Sequence, residues 1–151
     1  MNLPTATPAP ALDVLCPRGD AVRVFSDPVP YLHAWKLQSR LHQERFRNQV
    51  PDTVLILEHR PVYTLGRSTT ASHWGGNASL LCEHGAELHH VNRGGSITFH
   101  GPGQIVVYPV LKLDRHATGP RQLVWLLEDI LVQLLSLWNI TGHRIPGKLS
   151  G

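Results

Sequence analysis

The residues best suited to chemistry form one short run, residues 93–104, which reads Arg-Gly-Gly-Ser-Ile-Thr-Phe-His-Gly-Pro-Gly-Gln. It places four glycines and a proline between two stretches with strand character, whereas a plain turn needs only one or two glycines. Glycine lets a ligand approach the backbone closely, so we expect a flat acyl group to fit between the bends at Gly94-Gly95 and Gly101–Gly103. A glycine-rich hairpin without a ligand is the alternative.

Two ionisable side chains lie at the corners of this run. His100 could donate to a carbonyl or exchange a proton near neutral pH, and the alternative is a hydrogen-bonded structural histidine. Arg93 could hold a carboxylate or the phosphate-linked arm of a carrier-bound substrate, and the alternative is an ordinary ion pair. The residue types alone leave both pairs of alternatives open.

Periodicity predicts the elements that must position these residues. Alternating apolar residues and β-formers predict strands over residues 21–26, 53–58, 62–65, 87–92, 96–99 and 104–113. Apolar spacings of three and four predict helices over residues 30–48 and 122–138. Residues 67–85 show no clear period and are typical of a functional loop that could cover a pocket.

This order of elements favours an α+β fold, with a mixed or antiparallel sheet and helices packed on it. The strand at 104–113 should lie beside the strand at 96–99, and Pro109 indicates a sheet edge or a bulge. We expect the helix at 122–138 to pack on this sheet. Residues 1–20 predict a disordered leader, and residues 21–151 predict one domain.

Composition narrows the function classes. The chain has 151 residues, a net charge of +3 and no run of Lys or Arg, so we expect no nucleic-acid partner. No apolar run is long enough to span a bilayer. Only Cys16 and Cys82 are present, without a disulfide framework, which favours the reducing cytosol. There is no HExxH motif, and His89 and His90 should point to opposite faces of a strand, so no metal site is predicted.

The run at 93–104 resembles R-G-G-x-x-T-[YF]-H-G-P-G-Q, the hallmark of the octanoyl carrier-protein:protein octanoyltransferases, and an apolar strand with Tyr108-Pro109 follows it as in that family. Residues 57–67, Leu-Glu-His-Arg-Pro-Val-Tyr-Thr-Leu-Gly-Arg, are similar to the family's upstream strand pair and glycine turn. The similarity covers about residues 22–147.

The resemblance implies a fold shared with biotin and lipoate ligases and no cofactor. It implies transfer of an octanoyl group from acyl carrier protein to a lysine of lipoyl domains, in 2-oxoacid dehydrogenases and the glycine cleavage H protein. It also implies a substrate-binding set, with residues 93–100 lining the octanoyl pocket and residues 101–104 shaping its rim. That set is Arg93, Gly94, Gly95, Ser96, Ile97, Thr98, Phe99, His100, Gly101, Pro102, Gly103 and Gln104.

The family's catalytic cysteine and lysine would follow the segment at 145–147, close to the last residue of this sequence. Cys16 and Cys82 do not match that cysteine, so no catalytic residue is identifiable, and we expect the chain as given to be inactive. Two alternatives stay open. One is a non-catalytic acyl-binding or carrier-docking module, and the other is an ATP-dependent lipoate or biotin ligase. Lipoate ligases resemble R-R-x-S-G-G-G-x-V-[YF]-H-D, and Gly101 stands where they have the acidic residue.

Overall fold

A computed structural model describes residues 11–83 and 85–145, and the chain divides into two compact units, residues 1–111 and 112–151. Within the described residues, the first unit contains seven strands and two α-helices, and the second contains one α-helix. The strands are β1 Ala11–Leu15, β2 Ala21–Phe25, β3 Thr53–Leu57, β4 Val62–Leu65, β5 Glu87–His90, β6 Ile97–His100 and β7 Val106–Val110. The helices are α1 Tyr31–Phe46, α2 Ala78–Glu83 and α3 Pro120–Ser136.

The first unit contains two mixed sheets. A four-stranded sheet has the order β1-β2-β3-β7, with β2 and β3 parallel and the outer pairs antiparallel. A three-stranded sheet has the order β5-β4-β6, with β4 parallel to β5 and antiparallel to β6. The predicted fold class, α+β with mixed sheets, is confirmed.

The core of this unit lies between α1 and the four-stranded sheet. Alternate residues of β3, Leu55 and Leu57, are buried and pack with Ala34 and Leu41 of α1. Val106, Tyr108 and Val110 of β7 pack against the same cluster. The sequence predicted both patterns. In β3 every second residue is buried, and in α1 the apolar residues recur at spacings of three and four.

A buried ion pair fixes the last turn of α1 to Asp52, the residue directly before β3. The Arg45 guanidinium contacts the carboxylate of Asp52, and both side chains are almost inaccessible to solvent. A second Arg45 nitrogen donates to the Asn48 side chain at 3.0 Å, and the Asp52 carbonyl accepts from the Ala21 amide at 2.9 Å. These contacts join the helix, β2 and β3 at one point.

The structure corrects two expectations. Residues 11–15, predicted within a disordered leader, form β1 and pair in antiparallel register with β2; residues 1–10 of that leader lie outside the described residues. The strand predicted at 104–113 does not lie beside the one at 96–99, because β7 pairs with β3 and β6 pairs with β4. Pro109 does lie on an edge strand of the described sheet, as predicted.

The predicted loop at 67–85 is also more ordered than expected, since it contains a short 3₁₀ helix at Ala71–His73 and α2. In the second unit, the predicted helix at 122–138 is confirmed as α3, although its packing on a sheet stays a prediction. Arg144 forms ion pairs with Glu128 and Asp129 of α3 at 3.3 and 2.7 Å. No helix in the described ranges is long and apolar enough to cross a membrane.

Candidate functional site

The glycine loop, residues 93–96, connects β5 to β6 and packs directly on the end of β4. The Gly66 amide donates to the Ser96 carbonyl at 3.0 Å, and the amides of Arg67 and Ser68 donate to the carbonyls of Arg93 and Gly95. A Cβ atom on Gly66 would lie 2.4 Å from the Gly95 carbonyl oxygen, so only glycine fits there. Gly95 has a φ of 77°, a conformation that favours glycine. The sequence predicted that a ligand would approach these glycines closely. In the structure the protein's own backbone at Gly66 makes this close approach.

The Arg93 side chain holds this loop in place. Its guanidinium donates to the carbonyl oxygens of Gly94 and Thr64 at 2.9 and 2.8 Å, and to the hydroxyl oxygens of Thr64 and Thr98 at 2.8 and 2.9 Å. These partners are neutral oxygens rather than a carboxylate, so the contacts differ from the ordinary ion pair that the sequence allowed. Arg93 therefore positions the loop.

β6 divides the predicted pocket residues between two faces of the three-stranded sheet. Thr98 lies opposite Thr64 of β4, and His100 lies opposite Val62, so both point to one face. Ile97 and Phe99 point to the other face, where the Phe99 ring lies 5.0 Å from that of Tyr63. Ile97 and Phe99 therefore lie on the opposite face of this sheet from Thr98 and His100.

The face that carries Thr64, His89, Thr98 and His100, which we call the histidine face, borders a cluster of aromatic rings. The Tyr31 ring stacks on His89 at 5.4 Å between centroids. His59 lies 5.4 Å from Tyr31 and 5.8 Å from His100. His89 also contacts the Glu87 carboxylate at 2.7 Å. The cluster brings together side chains from α1, β5 and β6 and the segment between β3 and β4.

His59, at the centre of this cluster, is fully buried and held in one tautomer. Its Nδ1 lies 2.9 Å from the Val29 carbonyl oxygen, and its Nε2 lies 2.7 Å from the Tyr108 hydroxyl. Because a carbonyl only accepts, Nδ1 carries the proton and Nε2 accepts from Tyr108. Burial lowers the pKa of His59 and raises the pKa of Tyr108 to about 12, so both groups stay neutral. Burial likewise raises the pKa of Tyr31.

The Gly-Pro-Gly bend after β6 is anchored rather than open. The Gly103 amide donates to the Glu58 carboxylate at 2.8 Å, and the Gln104 amide donates to the Gly101 carbonyl at 3.1 Å. Both amides are therefore engaged by acceptors within the protein. Pro102 is exposed, and the Gln104 side chain contacts the His100 ring at 2.5 Å.

A groove lies on the other side of β4 and β5, where these parallel strands end. Its volume is about 480 Å³. The apolar part of the lining comes from Leu65, Ala71, Trp74 and Val91, and the polar part includes Arg67 and His90. We call it the Arg67 groove. His90 lines it while His89 stacks on Tyr31, so the two histidines point to opposite faces, as predicted.

Several functional candidates are absent from the predicted set. His59, Tyr31, Tyr108 and Glu58 support the histidine face and the bend. Glu58, His59 and Tyr108 lie in segments that carry the family resemblance, but the sequence predicted no role for their side chains. The available signal was the pair Glu58-His59, two polar residues directly after a buried strand. Cys16 follows β1 and Cys82 lies in α2, and neither forms a disulfide. Within residues 11–83 and 85–145, no group of three His, Cys, Asp or Glu side chains is arranged to hold a metal ion.

An α+β unit with a glycine loop packed on a strand end and a buried, neutral His59 defines a class of fold rather than one protein. Comparison with known families resolves the class: residues 30–147 match the model of the lipoyl protein ligase A/B catalytic domain. The chain belongs to this family, which confirms the resemblance inferred from residues 57–67 and 93–104.

The curated relatives agree. The chain is 41% identical over 124 residues to an octanoyltransferase of Thermobifida fusca, covering 80% of this chain and 49% of that one. It is 40% identical over 126 residues to an octanoyltransferase of Rubrobacter xylanophilus, covering 83% and 56%. A mitochondrial octanoyltransferase of Arabidopsis thaliana is 43% identical over 112 residues, covering 74% and 48%. The chain thus spans about half the length of the curated relatives it matches.

Proposed function

We propose that this chain forms the acyl-binding part of an octanoyltransferase, which moves an octanoyl group from acyl carrier protein to a lysine of a lipoyl domain. The observation that carries the proposal is the family match over residues 30–147, which includes both Gly66 and the glycine loop packed on it. The relatives named octanoyltransferases favour transfer over an ATP-dependent ligation.

The proposed substrate site retains Arg93–Gln104, with roles refined by the contacts. Gly94 is exposed, and a Cβ atom there would meet no atom within 4 Å, so the loop leaves room for a chain to lie along it. Arg93 acts as a positioning residue through Thr64 and Thr98. Gly101, Pro102, Gly103 and Gln104 form the rim through the contact to Glu58.

The neutral pair of His59 and Tyr108 suits an uncharged acyl thioester. His59 and Tyr108 use their polar atoms on each other and on Val29, so they place no charge near the acyl chain. His100 is the ring of this cluster nearest to the bend, and its Nδ1 donates to the Gln104 side-chain oxygen. The proposal assigns no nucleophile among the described residues, since a reactive thiol needs a cationic or dipolar neighbour.

The acceptors proposed are lipoyl domains of 2-oxoacid dehydrogenases and the glycine cleavage H protein, and the donor is octanoyl-acyl carrier protein. The compartment proposed is the cytosol, because the two cysteines are unpaired and disulfides are rare there.

The test is a transfer assay with the chain alone and with the chain joined to the C-terminal part of the Thermobifida fusca relative. Each protein is incubated with octanoyl-acyl carrier protein and a lipoyl domain, and both substrates are weighed by mass spectrometry. We expect an octanoyl mass on the lipoyl domain with the joined protein and none with the chain alone.

Gly95→Val in the joined protein should abolish transfer, because a branched side chain cannot adopt the positive φ of Gly95 without strain. A parallel reaction with free octanoate and ATP separates the two chemistries. Transfer only in that reaction would show a ligase, and a joined protein that folds but transfers in neither reaction would refute the proposal.

A further inference from the structure

The Arg67 groove contains a cation, Arg67, that has no side-chain partner among the described residues. The Arg67 side chain is exposed, and in the described part of the chain it makes no ion pair and no side-chain hydrogen bond. Its backbone amide, by contrast, is fixed on the Arg93 carbonyl at 3.0 Å. The main chain that carries this guanidinium is therefore held in place at the border of the groove. There the guanidinium can pair with an anionic group of a bound ligand.

Arg67 is an arginine beside the glycine loop whose side chain stays available when Arg93 is accounted for. The sequence suggested Arg93 for the phosphate-linked arm of a carrier-bound substrate, but its guanidinium is committed to Gly94, Thr64 and Thr98. Arg67 lies directly beyond Gly66, against which the glycine loop packs. The free cation and the proposed acyl site thus share one boundary.

The rest of the groove suits a narrow amphipathic chain. Leu65, Val91 and Trp74 supply apolar surface, and His90 and Thr70 supply exposed polar groups. Its volume of about 480 Å³ lies within the range of small-molecule sites. The outer wall is tied to the glycine loop, since the His73 ring contacts the Ser96 hydroxyl. A ligand in this groove would therefore lie beside the loop.

We propose that the Arg67 groove binds the phosphate-bearing pantetheine arm of the acyl-thioester donor, with the Arg67 guanidinium on the phosphate and the pantetheine chain against Trp74 and Val91. This inference rests on the proposed function for the identity of the donor. A guanidinium and a phosphate form a charge-assisted pair, and that pair orients the arm so that its thioester end points along the groove.

The test uses the 151-residue chain and compares the binding of 4′-phosphopantetheine and pantetheine by calorimetry. We expect the phosphate to strengthen binding. Arg67→Ala should weaken 4′-phosphopantetheine binding about tenfold, since a hydrogen bond to a charged group is lost, and leave pantetheine binding unchanged. Arg67→Lys should retain part of the difference. Arg18→Ala, at an exposed arginine in the turn between β1 and β2, is the matched control and should change neither affinity.

Equal affinities for the two probes, or a phosphate preference that survives Arg67→Ala, would overturn the inference. Octanoyl-acyl carrier protein and octanoyl-coenzyme A then distinguish the two sources of the arm, and both should lose affinity in Arg67→Ala. Octanoyl-pantetheine, which lacks the phosphate, separates this inference from the proposed function. If it binds while Arg67→Ala has no effect on 4′-phosphopantetheine, only the groove assignment fails. If 4′-phosphopantetheine binds through Arg67 and octanoyl thioesters gain nothing from the acyl chain, the acyl-binding function fails instead.

Discussion

Gly66→Ala should destabilise this protein far more than Gly94→Ala, although both positions lie where the glycine loop meets the end of β4. The alanine Cβ atom at position 66 would lie 2.4 Å from the Gly95 carbonyl oxygen. Real Cβ atoms keep at least 3.0 Å from such an atom, so the end of β4 and the glycine loop must separate by about 0.6 Å. The opposing atom is backbone, so no side-chain rotation can relieve the contact.

This separation strains three main-chain hydrogen bonds, from Gly66, Arg67 and Ser68 to the loop, each of 3.0–3.1 Å. Overpacking typically costs about 1–3 kcal/mol, and each weakened hydrogen bond adds up to about 1 kcal/mol. We therefore expect Gly66→Ala to lower the free energy of unfolding by about 2–4 kcal/mol. At position 94 the new Cβ meets no atom within 4 Å, and we expect a change within about 0.5 kcal/mol.

Urea denaturation of the two variants, followed by circular dichroism, measures this difference. With a slope of about 2 kcal/mol per molar urea, the unfolding midpoint of Gly66→Ala should fall by about 1–2 M, while that of Gly94→Ala stays near the parent value. Similar midpoints for the two variants would show that the loop does not pack on Gly66 as described.

Three further predictions concern buried polar groups. Asp52→Ala should lower the free energy of unfolding by about 3–5 kcal/mol, because it leaves the buried Arg45 guanidinium without its carboxylate. In the same urea titration, Asp13→Ala, which removes the exposed pair with Arg23, should lower it by at most about 1 kcal/mol. Because burial holds the pKa of His59 below its usual 6.5, the unfolded chain takes up this proton first, so stability should fall as pH drops below about 6.5. His59→Gln should flatten the pH dependence of stability, and His42→Gln, at an exposed position, should preserve it. If both variants keep the parent's pH profile, His59 is not the group responsible. Thr69→Val should be neutral or stabilising in thermal melts, because the Thr69 hydroxyl is buried and has no hydrogen-bond partner in the described residues; a clear loss of stability would reveal a partner.

The sequence predicted those elements whose periodicity matches their burial. In β3 the residues Thr53, Leu55 and Leu57 alternate with less buried neighbours, and α1 carries its buried residues at helical spacing. Short elements were harder to predict. α2 has only 6 residues, too few for a period, although Asn77 marks its start by accepting hydrogen bonds from the amides of Ser79 and Leu80. A local capping signal was therefore available where periodicity was not.

Pairing between distant strands could not be predicted in the same way. Consecutive strands usually lie side by side, so β7 was expected beside β6. The bend at 101–104 instead carries the chain from one sheet to the other, and the contact that anchors it, from the Gly103 amide to Glu58, joins residues 45 positions apart. His59 was missed for the same reason, since its partners Val29 and Tyr108 lie 30 and 49 positions away. The acyl motif was found because its glycines are contiguous in sequence.

The central claim is that the segment from Arg93 to Gln104 lines an acyl site, and photo-crosslinking tests it most directly. An octanoyl thioester with a diazirine at the end of its acyl chain would be irradiated with the 151-residue chain, and the modified peptides would be identified by mass spectrometry. We predict that the label attaches to residues 93–104 or to side chains of the histidine face, and that unlabelled octanoyl thioester competes it away. A label confined to the exposed residues of α3, or one that excess octanoyl thioester does not displace, would contradict the claim.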